Sequence, residues 1–181
     1  MDVLAPLVLH PRHVHNASVS TPAAGFAADT YLVGSSIAIP NKLLQAKSKY
    51  RCRFSVSKTA AGVATPIINV RIGTLGTTGD ASRGVLTFAA QTAVVDEGLF
   101  EIEAIFRTVG VGTTAILQSM GRIAHRLSIT GLSTDVSGMK LVTSAGFDST
   151  VANSIIGLSV NGGASAAWTI AVVSSELVNL L

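Results

Sequence analysis

Period-two alternation of apolar and polar residues recurs along this chain and restricts it to one kind of architecture. From Lys49 to Val56, Tyr50, Cys52, Phe54 and Val56 are apolar, while Lys49, Arg51, Arg53 and Ser55 are polar. Successive side chains of an extended strand point to opposite faces, so this stretch reads as a half-buried antiparallel strand. Phe100, Ile102, Ala104 and Phe106 alternate in the same way with Glu101, Glu103 and Arg107. Ile68, Val70 and Ile72 line one face of a strand over 65–73. A long strand is expected from Leu117 to Ile129, with Ile123, His125, Leu127 and Ile129 inward and Arg122 and Arg126 outward.

Shorter strands are expected over 30–39 with a kink at Gly34, then at Val85–Phe88, 139–144, Val151–Val160 and Trp168–Val173. Asn41–Ala46 reads as a turn or helical piece, Thr74–Gly84 as a Gly/Thr-rich loop, and Glu176–Leu181 as an apolar, unmasked tail. About eight short strands with frequent turn signals and no long amphipathic helix predict an all-β antiparallel β-sandwich, jelly-roll-like, with an extended N-terminal arm. The expected core is Phe54, Val56, Ile68, Val70, Phe100, Ile102, Phe106, Ile123, Leu127, Leu158, Val160, Trp168, Ile170 and Val172.

Composition bears on assembly. The chain has 181 residues, 13 Lys and Arg against 10 Asp and Glu, and 48% hydrophobic residues. Its charged fraction of 13% is about half the usual ~25%. A folded monomer of this mass exposes about 8,000 Å², or one charge per ~350 Å². Such a surface is hard to keep monodisperse, so much of it is expected to be covered by further copies of the chain or by a larger assembly. Cys52 is the single cysteine, which excludes a disulfide scaffold. High hydrophobicity with a net charge of only +3 excludes disorder.

Residues 1–28 read as an arm preceding a sandwich domain at 29–181. The arm carries Leu4, Leu7, Val8 and Leu9, too many apolar side chains for a free terminus, and Pro6, Pro11 and Pro22 keep it extended. Those four residues are the candidate assembly interface, reaching a neighbouring chain; the alternative is an arm folded back over its own sheet as a first strand. No apolar stretch approaches the ~20 residues of a membrane span, and the start lacks the basic leader of a signal peptide, so folding in a cytoplasm is expected. The Lys and Arg residues are scattered, and Lys49, Arg51 and Arg53 share one strand face with few aromatics for stacking. A solvated strand face therefore fits better than direct nucleic-acid binding.

Chemistry has little to work with. His13 and His15 share one face of an extended segment, with His10 three residues earlier. Two histidines at i and i+2 can chelate a metal, but no carboxylate follows until Asp29, and no metal is expected there. His125 lies on the apolar face of its strand and reads as a satisfied core or interface histidine. Cys52, also on an apolar face, reads as a small buried hydrophobe. Glu101 and Glu103 read as a solvated face or an intersubunit ion pair rather than a facing catalytic couple. Gly73–Gly79 has neither the lysine nor the following helix of a phosphate loop. No enzyme and no cofactor are expected.

Tyr50–Pro66 reads strand, Lys-Thr-Ala-Ala-Gly turn, strand; Val70–Asp80, Val142–Asn153 and Val160–Thr169 follow in the same style. Together these segments resemble small β-sandwich virion structural proteins of tailed bacteriophages, over about residues 28–181. The resemblance implies a capsid decoration (cement) protein, often a trimer, which clamps the major capsid protein or other virion proteins after assembly in the host bacterial cytoplasm. It carries over no catalytic residue. A tail, baseplate or fibre component, with host-receptor or carbohydrate binding, is the alternative that the residues leave open. A cellular binding module or enzyme of jelly-roll fold is a third.

Overall fold

A computed structural model describes residues 13–16, 23–40, 42–163 and 165–181. Twelve strands follow one another: β1 (His13–His15), β2 (Ala23–Gly25), β3 (Thr30–Tyr31), β4 (Ile37–Ala38), β5 (Lys49–Lys58), β6 (Ile67–Gly73), β7 (Ala81–Thr87), β8 (Asp96–Thr108), β9 (Ile116–His125), β10 (Met139–Thr143), β11 (Ile155–Asn161) and β12 (Trp168–Val178). No helix occurs among the described residues. A seven-stranded sheet in the order β1-β12-β5-β8-β9-β10, with β2 also on β12, packs over a five-stranded sheet β3-β11-β6-β7, with β4 also on β11. The all-β antiparallel sandwich expected from the alternation is the fold. Between the sheets the chain crosses repeatedly, while β8, β9 and β10 form a meander within the larger one.

The core lies between the sheets. Phe100 stacks on Phe54 with ring centroids 5.1 Å apart, takes Phe88 edge-on at 5.3 Å, and meets the Trp168 indole at 5.2 Å. Leu86, Ile68, Val70, Leu158 and Val160 close this cluster from the smaller sheet. Tyr50 is fully buried and donates its hydroxyl to Ser35 O at 2.6 Å. Burial drives its pKa well above 10.

Several expectations need correction. Val172, expected inside, is 60% exposed. A bulge between Ile170 and Val173 inserts an extra residue, flips the phase of β12, and packs Val173 against the core in its place. β9 ends at His125 rather than Ile129, so Leu127 is half-buried in a loop and Ile129 is exposed. Thr74–Gly84 is not wholly a loop, because β7 begins at Ala81. A register shift between Val70 and Arg71 lies beside Arg83, whose guanidinium rests over the Phe147 ring at 4.8 Å.

The tail is not unmasked: Leu177 lies in β12, Leu180 is buried, and the Leu181 N–H donates to Leu43 O. The described parts of the arm also add to their own sheet. His13–His15 pairs with Glu176–Val178 and Ala23–Gly25 with Trp168–Ile170, so the two short strands cover the two ends of the outer edge of β12. Leaving the sandwich, as expected of the arm, does not describe these stretches. Leu4, Leu7, Val8 and Leu9 lie outside the described residues.

Candidate functional site

Ionisable residues with the potential for chemistry are tied into the fold. His13 Nε2 lies 3.0 Å from Glu176 Oε2. His15 is a ring neighbour of His13 with centroids 5.9 Å apart, and His10 lies outside the described residues. Among the described residues, no group of three or more His, Cys, Asp and Glu could hold a metal ion. Cys52 is buried, and burial pushes its thiol up to about 12, so it is a poor nucleophile at neutral pH. Asp80 fills the 74–79 turn and accepts the N–H groups of Leu75 at 3.0 Å and Gly76 at 2.7 Å. A carboxylate thus occupies the place where a phosphate loop would bind its anion. No helix among the described residues is long and apolar enough to cross a membrane.

Two surfaces remain distinctive. The first is the end of the sandwich formed by the loops 59–66, 88–95, 126–138 and 162–167. Three of these contain no Asp, Glu, Lys, Arg or His at all, and the fourth has only Arg126 and Asp135. Val63, Val94, Val95, Ile129 and Val136 stand exposed on them, Val136 to 80%. Directly beneath, three ionisable residues of the strand ends are turned inward. Lys58 donates through Nζ to Thr92 O at 2.7 Å, Val94 O at 2.9 Å and Thr59 O at 2.9 Å, which uses all three of its protons. Burial lowers its pKa, against the pull of Asp96.

Asp96 accepts the Leu132 N–H at 2.9 Å and the Glu97 N–H at 2.8 Å, and pairs with His125 Nδ1 at 2.7 Å. Its burial acts to raise the carboxyl pKa; the Leu132 N–H, His125 and the Glu97 N–H outweigh it and hold the carboxyl below its ordinary value. Gln91 extends the network, donating to Ala64 O and Gly162 O and accepting the Trp168 Nε1–H at 2.7 Å. These polar groups tie the loops together from within and leave a charge-poor, β-branched aliphatic outer surface on which Arg126 and Asp135 are the charged side chains. His125 is satisfied, as the alternation indicated. Lys58 and Asp96 were not singled out from the sequence, although both fall in the inward phase of their strands.

The second surface is the outer face of the larger sheet. Cross-strand pairing sets Glu176, Arg51, Glu103, Met120 and Leu141 in one row and Ser174, Arg53, Glu101, Arg122 and Met139 in the next. Arg51 bonds Glu103 at 2.9 Å and reaches Glu176 at 3.4 Å. Lys49 meets Glu103 at 3.2 Å, Arg53 meets Glu101 at 3.0 Å, and Arg122 also bonds Glu101. The basic strand face expected at Lys49, Arg51 and Arg53 exists, but the glutamates of β8 neutralise it. A shallow depression of about 310 Å³ lies between the rows, lined by Arg51, Arg53, Glu101, Glu103, Met120 and Met139 among others.

No known protein family matches the sequence, and no curated protein matches it. Among solved structures, that of infectious bursal disease virus Gx strain aligns at 12% identity and a TM-score of 0.17, over 91% of this chain and 43% of that one. The chain spans less than half the length of that viral chain, and a likeness of this degree carries no argument about fold or function.

Proposed function

We propose that this chain is a non-enzymatic structural protein of a tailed-phage virion, a homotrimeric decoration protein that clamps the outside of the head. The observation that carries the reading is the charge-poor loop end. Lys58 and Asp96 beneath it are turned into the core, and five β-branched aliphatic residues are presented at the surface. An exposed patch of this kind, held rigid from below, marks an interaction surface. On this reading it meets the capsid surface. The mechanism is mechanical: binding the assembled shell and not its free subunits stabilises the shell by mass action.

Light scattering on the purified chain tests the trimer and is expected to give about three times 18.5 kDa. A monomer at micromolar concentration contradicts it. Gold-labelled antibody on intact virions tests the location: label distributed over the head is expected. Label confined to the tail tip replaces decoration with the tail or fibre role.

A further inference from the structure

The geometry points to a second copy of this chain as the occupant of the outer face of the larger sheet, docked about a two-fold axis that runs parallel to the strands between β5 and β8. The argument is charge complementarity. Outward residues of β5 include Lys49, Arg51 and Arg53, all basic, and those of β8 include Glu97, Glu101 and Glu103, all acidic. The flanking strands repeat the pattern with opposite order: β12 carries Glu176 outward and β9 carries Arg122. Read across the sheet from β12 to β9, the columns are acidic, basic, acidic and basic. β5 and β8 are the middle pair of the six-strand order β1-β12-β5-β8-β9-β10. Each of these four columns therefore has an oppositely charged counterpart column at equal distance from the midline.

Only one class of two-fold uses this antisymmetry. An in-plane axis perpendicular to the strands lays β5 over β5 and β8 over β8, so arginines meet arginines and glutamates meet glutamates. An axis parallel to the strands along the midline lays β5 of one copy over β8 of the other. Arg51 then faces Glu103 and Arg53 faces Glu101, while the β12 column lies over the β9 column with Glu176 opposite Met120 and Arg122 opposite Ser174, each flanking charge one row from its opposite. Like-charge contact excludes the first arrangement, and opposite-charge contact fixes the register of the second.

The side chains have capacity for a second partner. Arg53 meets Glu101 through Nε and its side chain stays 68% exposed, while Arg51 is 46% and Arg122 57% exposed. Apolar residues also stand on the face: Leu99 on β8, and Met139 and Leu141, both exposed, on β10. The six strands offer roughly 800 Å² of sheet plane per copy at ~4.8 Å between strands and ~3.3 Å per residue, which is what each partner of a standard interface contributes.

The axis has a consequence for direction. Rotation about a line parallel to the strands keeps both charge-poor loop ends pointing the same way, so a pair can set both ends on one surface. The pairing itself does not rest on the virion reading, because it doubles whatever unit the rest of the molecule forms.

Three charge variants test it by sedimentation velocity at low salt over a range of concentrations. Arg51→Glu with Arg53→Glu makes the two central columns predominantly acidic, and Glu101→Arg with Glu103→Arg makes them predominantly basic. Each alone is expected to lose self-association by at least about tenfold, and an equimolar mixture to regain it, since acidic columns then face basic ones throughout. All four substitutions together keep the Arg51–Glu103 and Arg53–Glu101 pairs with reversed sign, while the contacts to Lys49, Glu176 and Arg122 become like-charge. That variant guards against misfolding: it is expected to self-associate like the parent and to exclude the parent from mixed species. Self-association of the acidic variant equal to the parent's overturns the proposal. So does free mixing of the fourfold variant with the parent, or a parent that shows no concentration-dependent doubling. Absence of a trimer with the doubling intact would remove the decoration reading and leave this one standing.

Discussion

Asp96→Asn tests the idea that buried ions beneath the loop end hold it rigid. The carboxylate serves three partners: the Leu132 N–H, the Glu97 N–H and His125 Nδ1. An amide has one acceptor oxygen and one NH2 group, so in either orientation one backbone N–H faces a donor. An unsatisfied buried N–H costs about 1–3 kcal/mol, and the remaining bonds lose their charge assistance. The expected loss is about 2–4 kcal/mol, a large share of the roughly 5–15 kcal/mol of a typical domain. With a slope of about 2 kcal/mol/M in urea, the midpoint falls by roughly 1–2 M.

The pH dependence sharpens this prediction. Asp96 has a folded pKa below its ordinary value. Its contribution is therefore complete above the unfolded pKa of about 3.9 and is lost as pH falls through the lower folded value. The parent and the variant should differ most at pH 6 and converge below about pH 4. Urea titrations of both at several pH values read this directly. A cost under about 0.5 kcal/mol at pH 6, or a difference that stays constant down to pH 2, refutes the reasoning.

Other substitutions probe separate parts of the account. Phe100→Ala removes the ring shared by Phe54, Phe88 and Trp168 and should cost about 3–5 kcal/mol in a urea titration; a cost below 2 would mean the cluster is not the packing centre. Gly157→Ala places a Cβ 2.0 Å from the Tyr31 hydroxyl and should destabilise by about 1–3 kcal/mol. Adding Tyr31→Phe should recover part of that loss, and no recovery would point to backbone strain instead. The Cys52 thiol, pushed up to about 12 by burial, should resist a thiol reagent at pH 8 in the native protein and react stoichiometrically in urea; rapid native reaction would show that β5 opens.

Much of this was legible in the alternation, including more than was drawn from it. The phase that put Tyr50, Cys52, Phe54 and Val56 inside also puts Lys58 inside. The phase of Phe100 and Ile102 carries back to Asp96, and that of Ile123 carries on to His125. Three ionisable residues in the inward phase at strand ends signal a buried polar cluster, and strand pairing brings them to one end of the sandwich. What alternation cannot reveal is where its phase breaks. Val172 and Val173 are equally apolar, so nothing in the pattern marks the bulge that exposes the first and turns the second inward. The tail looked unmasked because Glu176 and Asn179 interrupt it, yet Leu177 belongs to a strand held between β5 and β1. Likewise, Glu101 and Glu103 were legible as a strand face, but their register against Arg51 and Arg53 depends on tertiary pairing.

On the reading proposed above, the molecule is a virion component that covers a shell. Quantitative mass spectrometry of gradient-purified virions, before and after the chain is stripped from them, measures this most directly. The account predicts the chain in fixed proportion to the major capsid protein, with stripped heads that rupture more readily on heating and recover when the purified protein is added back. A chain absent from purified virions would contradict it.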